Sequence, residues 1–321
     1  MAYGQEGHIG MCFQQSFGTA YVSSMDYIPF ISETLTENIE DLMSESLSSR
    51  VEEPDSYEGM HGIEGDIVME VHPIVAGKLL KAWTGQSSEI GYSGSCYQHN
   101  FVPRTSDWSE EISALPPLTI EVYRDTGSAY QYYDMLCDKL VFEISQGTLY
   151  KMTASFIGAH FAWLAKTTTS YDAGSYFAWD TVSLSLAGAG VSNASQLTIT
   201  ANNNLEAKAY LDGTKYPGRI LRKDFRTIEV AGTMLLVGDT QARIYRARTQ
   251  QRIVATATHP TTIALGHNAL EIDVPKMLYT NFPANIGGAG LIEVGFEGKA
   301  KYDTTSSYSI QWTLTNTRAA Y

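Results

Sequence analysis

The sequence predicts a mainly β chain, arranged as two tandem sandwich- or barrel-like units, each with one flanking α-helix. Three observations point there. Apolar and polar residues alternate with period two along most of the chain. Helical patterning is confined to two short stretches. The same order of strand, helix and strands occurs twice. At 321 residues there is room for about two domains of ordinary size. With 44% apolar and 18% charged residues, the composition supports real cores and not a disordered chain.

Taking the elements in order, residues 33–48 are acidic and serine-rich, a pattern compatible with a helix or an arm. Residues 74–84 predict a helix. Pro73 precedes it, Gly85 follows it, and Ile74, Val75, Leu79, Leu80 and Trp83 share an apolar stripe. LTIEVY puts Leu118, Ile120 and Val122 on one face, and KLVFEI does the same with Leu140, Phe142 and Ile144. TVSLSL follows with Val182, Leu184 and Leu186. Residues 239–250 predict a second, weaker helix, with Asp239 as N-cap and Ala242, Ile244, Tyr245 and Ala247 as its stripe. LEIDV (Leu270, Ile272, Val274) and YSIQWTL (Tyr308, Ile310, Trp312, Leu314) complete the set. Each strand reads as one buried face and one wet face. Turn residues separate them at Asp125-Thr126-Gly127, Gln146-Gly147, Asp212-Gly213 and Gly287-Gly288. Residues 86–116 and 249–268 are too long for simple hairpins and are expected to be arms reaching a neighbouring subunit.

The repeat has three anchors. GIEGDIVMEV before the first helix matches VAGTMLLVG before the second, with Gly65 against Gly232. Leu118-x-Ile120-x-Val122 matches Leu270-x-Ile272-x-Val274, and Phe156-x-Gly158 matches Phe296-x-Gly298. The expected division is an acidic N-terminal arm over 1–50, a first unit over 51–170 and a second over 171–321. Units of this kind have open sheet edges, which are either blunted or used to pair with another chain.

Charge is unevenly placed. The net charge is −13, which disfavours a protein that grips nucleic acid. Residues 1–71 hold fourteen acidic residues against Arg50 alone, whereas residues 207–252 hold ten basic residues against Asp212, Asp224, Glu229 and Asp239. Such complementary stretches suit head-to-tail self-association. The candidate assembly contacts are Arg243, Arg246, Arg248 and Arg252 on the basic side, with Glu52, Glu53 and Asp55 on the acidic side.

No catalytic, cofactor or metal site is expected. The seven histidines form no metal spacing, and no G-x-S-x-G elbow, Walker A string or dinucleotide fingerprint occurs. His72 and His259 each precede a proline and are expected at element ends. Glu121 and Glu143 fall on the wet faces of their strands, where a charge ordinarily sits. Cys12, Cys96 and Cys137 are too few and too far apart for a disulfide framework or a zinc site. The N-terminus lacks the basic and apolar regions of a signal peptide, and no membrane association is expected.

Several blocks in order resemble the major tail tube proteins of long-tailed phages. They are Tyr57-Glu58-Gly59 through Gly65-Asp66-Ile67-Val68-Met69-Glu70-Val71-His72-Pro73 and the helix ending at Gly85; LTIEVYRD and LYKMTASFIG; SQLTITANNNLEAKAYLDG and FRTIEVAGTMLLVGDTQARIY; and LEIDVPKMLYTNFP, IEVGFEGKAKYD and TLTNTRAAY. The resemblance spans roughly residues 28–321, with no counterpart for 1–27.

That resemblance implies a structural virion protein whose rings stack into a hollow tail tube. Neighbouring subunits join their inner sheets around a lumen, which holds the tape measure protein and then conducts genomic DNA without binding it specifically. Tail terminator and baseplate proteins are the expected partners at the tube ends, and the host cytoplasm is the expected site of assembly. Six tube units per ring is the family's usual arrangement. A duplicated chain therefore predicts a homotrimer with pseudo-sixfold symmetry, and an unduplicated one a hexamer. A terminator, a baseplate hub protein and a glycan-binding virion protein are the alternatives.

Overall fold

A computed structural model describes the chain except for residues 1–2, 22–24, 47–50, 53–54, 92–95, 105–114, 173, 264–265 and 287–288. The first half runs β1 (His8–Phe13), β2 (Asp26–Ile28), β3 (Ser32–Glu33), β4 (Thr36–Met43), β5 (Ser56–Glu70), α1 (Ala76–Thr84), β6 (Ser88–Gly91), β7 (Tyr97–Phe101), β8 (Leu118–Tyr123), β9 (Ala129–Ser145), β10 (Lys151–Gly158) and β11 (His160–Leu164). The second half runs β12 (Val182–Leu186), β13 (Ala189–Val191), β14 (Ala194–Asn202), β15 (Leu205–Lys208), β16 (Arg219–Arg222), β17 (Thr227–Leu235), α2 (Thr240–Arg246), β18 (Gln251–Ile263), β19 (Gly266–Asn281), β20 (Glu293–Ala300) and β21 (Gln311–Asn316).

The pairing pattern occurs twice. In the first half, antiparallel neighbours run β2–β1–β8–β9–β11 in one sheet and β4–β5–β10–β9 in the other. In the second half they run β13–β12–β18–β19–β21 and β14–β17–β20–β19. Phe156 stands opposite Gly65 in one half, and Phe296 stands opposite Gly232 in the other. The topology sets β19 against β9, however, so Leu118-x-Ile120-x-Val122 and Leu270-x-Ile272-x-Val274 lie on non-equivalent strands.

One long strand in each half serves both sheets. Residues 129–135 of β9 pair with β8 and β11, and residues 136–145 pair with β10 and β14. The bend falls at Asp134, a non-glycine residue with φ 59°. Its buried side chain holds it there, accepting from Gln14 Nε2 (2.9 Å) and Gly18 N (2.8 Å) and pairing with His160 Nδ1 (2.6 Å). The cost of such a backbone position, on the order of 1–3 kcal/mol, is offset by those contacts.

The two halves are joined by main-chain pairing. Lys139–Ser145 of β9 pair with Asn202–Gln196 of β14, which makes one sheet in the order β4–β5–β10–β9–β14–β17–β20–β19. The outer sheets are bridged as well, since β7 of the first half covers the edge of β21. A large apolar cluster runs through both halves, and a smaller one joins Leu115 and Leu136 to Leu205 and Ile220. Helix α1 lies in the large one with Leu79, Leu80 and Trp83 buried, and Trp83 meets Trp312 edge-on with centroids 5.2 Å apart. Gly85 ends the helix at φ 81° with its N–H on Lys81 O.

Several expectations are corrected. Residues 36–43 form a strand and not a helix, because their partner is β5 and not a core-facing helical groove. Residues 249–268 are mostly the paired strands β18 and β19, so they are not an arm, and His259 lies inside β18 and not at an element end. Helix α2 is shorter than expected, and Asp239 bonds Arg243 without capping it. The 1–50 segment is not peripheral throughout, since β1 is buried between β2 and β8. Glu121 is buried too, because His8 Nε2 (2.9 Å) and Thr167 Oγ1 (2.7 Å) meet its carboxylate.

Candidate functional site

The continuous sheet has two faces of opposite chemistry. Directly opposed residues in antiparallel strands share a face, so the rows can be followed across the sheet. Met69, Met152, Phe142, Ile199 and Val230 form one such row, and all are buried. The alternate residues form the other face. One row there is Glu70, Lys151, Glu143, Thr198, Ala231 and Glu297. The next is Val68, Thr153, Val141, Thr200, Glu229 and Lys299.

This second face is acidic and rich in hydroxyls and amides. Its charges include Glu64, Asp66, Glu70, Glu143, Glu229, Glu293 and Glu297 against Lys139, Lys151 and Lys299. Lys299 is engaged with Glu229 at 2.9 Å. The signal was present in the sequence as the out-of-phase residues of every alternating strand, but only the strand order shows that they form one surface.

The ends of this sheet are unlike its middle. Among the described residues, β3 and β4 pair with β5 alone. At the other end, β19 pairs with β20 through Asn281 and Glu297, and residues 282–286 and 289–292 carry no strand. The matching hairpin of the first half closes within residues 146–150. Ile286 and Leu291, 79% and 84% exposed, sit in the open segment.

The expected charge contacts are partly occupied within the chain. Arg243 pairs with Asp239 (2.7 Å) in the exposed α2. Arg252 grips the buried Asp273 with two bonds of 2.7 and 2.9 Å, and Tyr308 Oη donates to the same carboxylate at 2.6 Å. Arg248 donates to Tyr279 O at 3.3 Å, and Arg246 is exposed. Glu52 and Asp55 are exposed near the β4–β5 turn, while Glu53, like Gly287-Gly288, lies outside the described residues.

Further acidic groups of the first 71 residues are also engaged. Asp26 pairs with Lys78 and Arg318, and Glu33 with Arg124 (2.7 Å). His61 bridges Glu37 (2.8 Å) and Glu58 (2.6 Å), and Lys215 pairs with Glu58. Tyr216 lies between the rings of His61 (5.0 Å) and His160 (4.7 Å). The loop before β16 thereby clamps the β4–β5 hairpin. The Glu37 carboxylate raises the His61 imidazole above its ordinary value, burial opposes the rise, and Glu58 adds to it. Sequence reasoning missed this clamp because its members are some 150 residues apart, as Glu58 and Lys215 are.

Among the described residues no group of three or more His, Cys, Asp or Glu is placed to hold a metal ion. No described helix is long and apolar enough to cross a membrane. The three cysteines are free and buried.

Residues 4–300 match a family model described as phage tail tube protein. No curated protein matches the chain.

Proposed function

Since the chain belongs to the phage tail tube protein family and is a structural component of the virion tail, we propose that three copies close a ring with pseudo-sixfold symmetry, and that these rings stack into the tube that conducts the genome. The observation that carries this reading is the β9–β14 junction. It joins one half to the other by main-chain pairing, and the same pairing between chains repeats it around a ring. The β19–β20 end of one chain then meets β3 and β4 of the next. Edge strands are natural templates for such pairing. The tube units are residues 51–170 and 171–321, with β1, β2, β3 and β4 added to the first.

The acidic, hydroxyl-rich face lines the lumen in this arrangement. Its charge repels DNA phosphates, so the duplex passes without adhering. The tape measure protein fills the same lumen before ejection, and terminator and baseplate proteins close the tube ends. Assembly takes place in the host cytoplasm. Arg243, Arg246 and Arg248, set against Glu52, Glu53 and Asp55 of the next ring, supply part of the stacking contact. Arg252 contributes less, because Asp273 of its own chain already holds it.

Chemical crosslinking tests the ring. Cysteines placed at Ile39 and Ile286 stand at opposite ends of the sheet, and the native thiols are buried. A short bis-maleimide should give a ladder that stops at three chains. A ladder continuing to six, or none in assembled tubes, would contradict the proposal.

A further inference from the structure

We propose that the Glu37–His61–Glu58–Lys215 cluster is a proton-operated latch that holds the far half of the β4–β5 hairpin in position for the neighbouring chain; its effect on assembly rests on the tube reading above. Strand β10 pairs with β5 only from Glu70 to Ile63, whereas β4 continues beside β5 until Met43 stands opposite Ser56. Residues 38–43 and 56–62 therefore overhang β10. Little apolar burial fixes them, since Leu42 and Tyr57 stand opposite each other 49% and 65% exposed. A segment of this kind opens easily unless polar contacts close it. Here they come from the loop before β16, in the second half of the chain. His61 N donates to Lys215 O at 2.8 Å, and the Lys215 ammonium pairs with Glu58.

His61 is the centre of the latch. Its ring meets Glu37 of β4 at 2.8 Å and Glu58 of β5 at 2.6 Å. Tyr216 covers it from the loop, and beyond Tyr216 stand His160 of β11 and Tyr133 and Asp134 of β9. Asp41 lies directly opposite Glu58. With His61 charged, two cations face Glu37, Asp41 and Glu58. With His61 neutral, Lys215 is left to face the three carboxylates, and like charges opposed across a strand pair push it apart. Glu37 raises His61 above its ordinary 6.5, burial opposes the rise, and Glu58 adds to it. Stability from a raised group is complete below the ordinary value and lost as pH rises through the folded one. Lys215, and then His61, hold Glu58 below its ordinary 4.5, so its share is lost only in acid. The latch is thus closed at mildly acid pH and opens in alkali. Strand β4 belongs to the edge that the β19–β20 end of a neighbouring chain meets, so an open latch hinders ring closure.

Hydrogen–deuterium exchange of dilute chain, read by mass spectrometry and divided by the intrinsic rate at each pH, tests the latch. Protection of residues 36–43 should fall about 3–10-fold between about pH 6 and about pH 9, while residues 139–145 of β9 stay protected. His61→Gln should show the lower protection already at the acid end, and Lys215→Met, on an exposed loop, should lower it too. The concentration at which tubes sediment should rise over the same pH step in the wild type, and less in His61→Gln. Protection of residues 36–43 that does not change with pH, or that both variants leave intact, overturns the latch. A latch that opens while tubes form at one concentration throughout overturns its role in assembly and leaves the tube reading standing. A chain that forms no tubes at any pH overturns the tube reading, and the exchange result still decides the latch.

Discussion

Gly65 and Gly232 stand at matching places in the two halves, yet the structure predicts unequal costs for filling them. At Gly65 φ is +155°, and an added Cβ would lie 2.6 Å from Leu35 Cα and from Thr34 O. Both obstacles are backbone. Overpacking of this kind costs about 1–3 kcal/mol, and holding alanine at that φ costs about 1–3 kcal/mol more, so Gly65→Ala should lose about 2–6 kcal/mol. At Gly232 the Cβ would meet Gln196 O and the Phe296 ring at 2.7 Å, without positive φ, so Gly232→Ala should lose about 1–3 kcal/mol. Gly62 has nothing within 4 Å, and Gly62→Ala should change stability by less than about 1 kcal/mol. Urea unfolding of dilute, unassembled chain, followed by tryptophan fluorescence, ranks the three. Equal midpoints for Gly65→Ala and Gly62→Ala would refute the reasoning, as would a larger loss for Gly232→Ala than for Gly65→Ala.

Other outcomes follow from the same contacts. His61 has a folded value raised above its ordinary 6.5, so the stability it adds is complete below that value and disappears as pH rises through the folded one. The stability gap between wild type and His61→Gln should therefore shrink on moving from about pH 6 to about pH 9. His72 and His99 are lowered by burial and act in the opposite sense, favouring the fold above 6.5 and weakening it on acidification. Arg252→Glu should cost about 1–3 kcal/mol by leaving Asp273 without its guanidinium, whereas Arg246→Glu should leave melting unchanged and hinder stacking, read by circular dichroism and sedimentation. Burial pushes the Cys12 thiol up to about 11 and raises Cys137 as well, so Ellman's reagent should find no fast thiol in the native chain and three after denaturation.

Much of the fold was legible because its signals are local. Pro73 and Gly85 bracket α1, and the period-two pattern marks Leu140, Phe142 and Ile144 as core residues of β9. What was not legible depends on partners distant in the chain. Glu121 looks like a surface carboxylate until His8, 113 residues away, is brought against it. The bend in β9 uses Asp134 and not glycine or proline, so nothing local marks the point where one strand changes sheets. His259-Pro260 and Gly266 suggest a loop, but residues 251–263 and 266–281 pair across them. The acidic face was hidden for the same reason: Glu70, Glu143 and Glu297 share a row only because of strand order.

Helical reconstruction of tubes grown from the purified chain tests the central claim most directly. The account predicts three chains per ring, a junction between chains that repeats β9–β14, and Glu70, Glu143 and Glu297 facing the lumen. Six chains per ring, or those carboxylates facing outward, would contradict it.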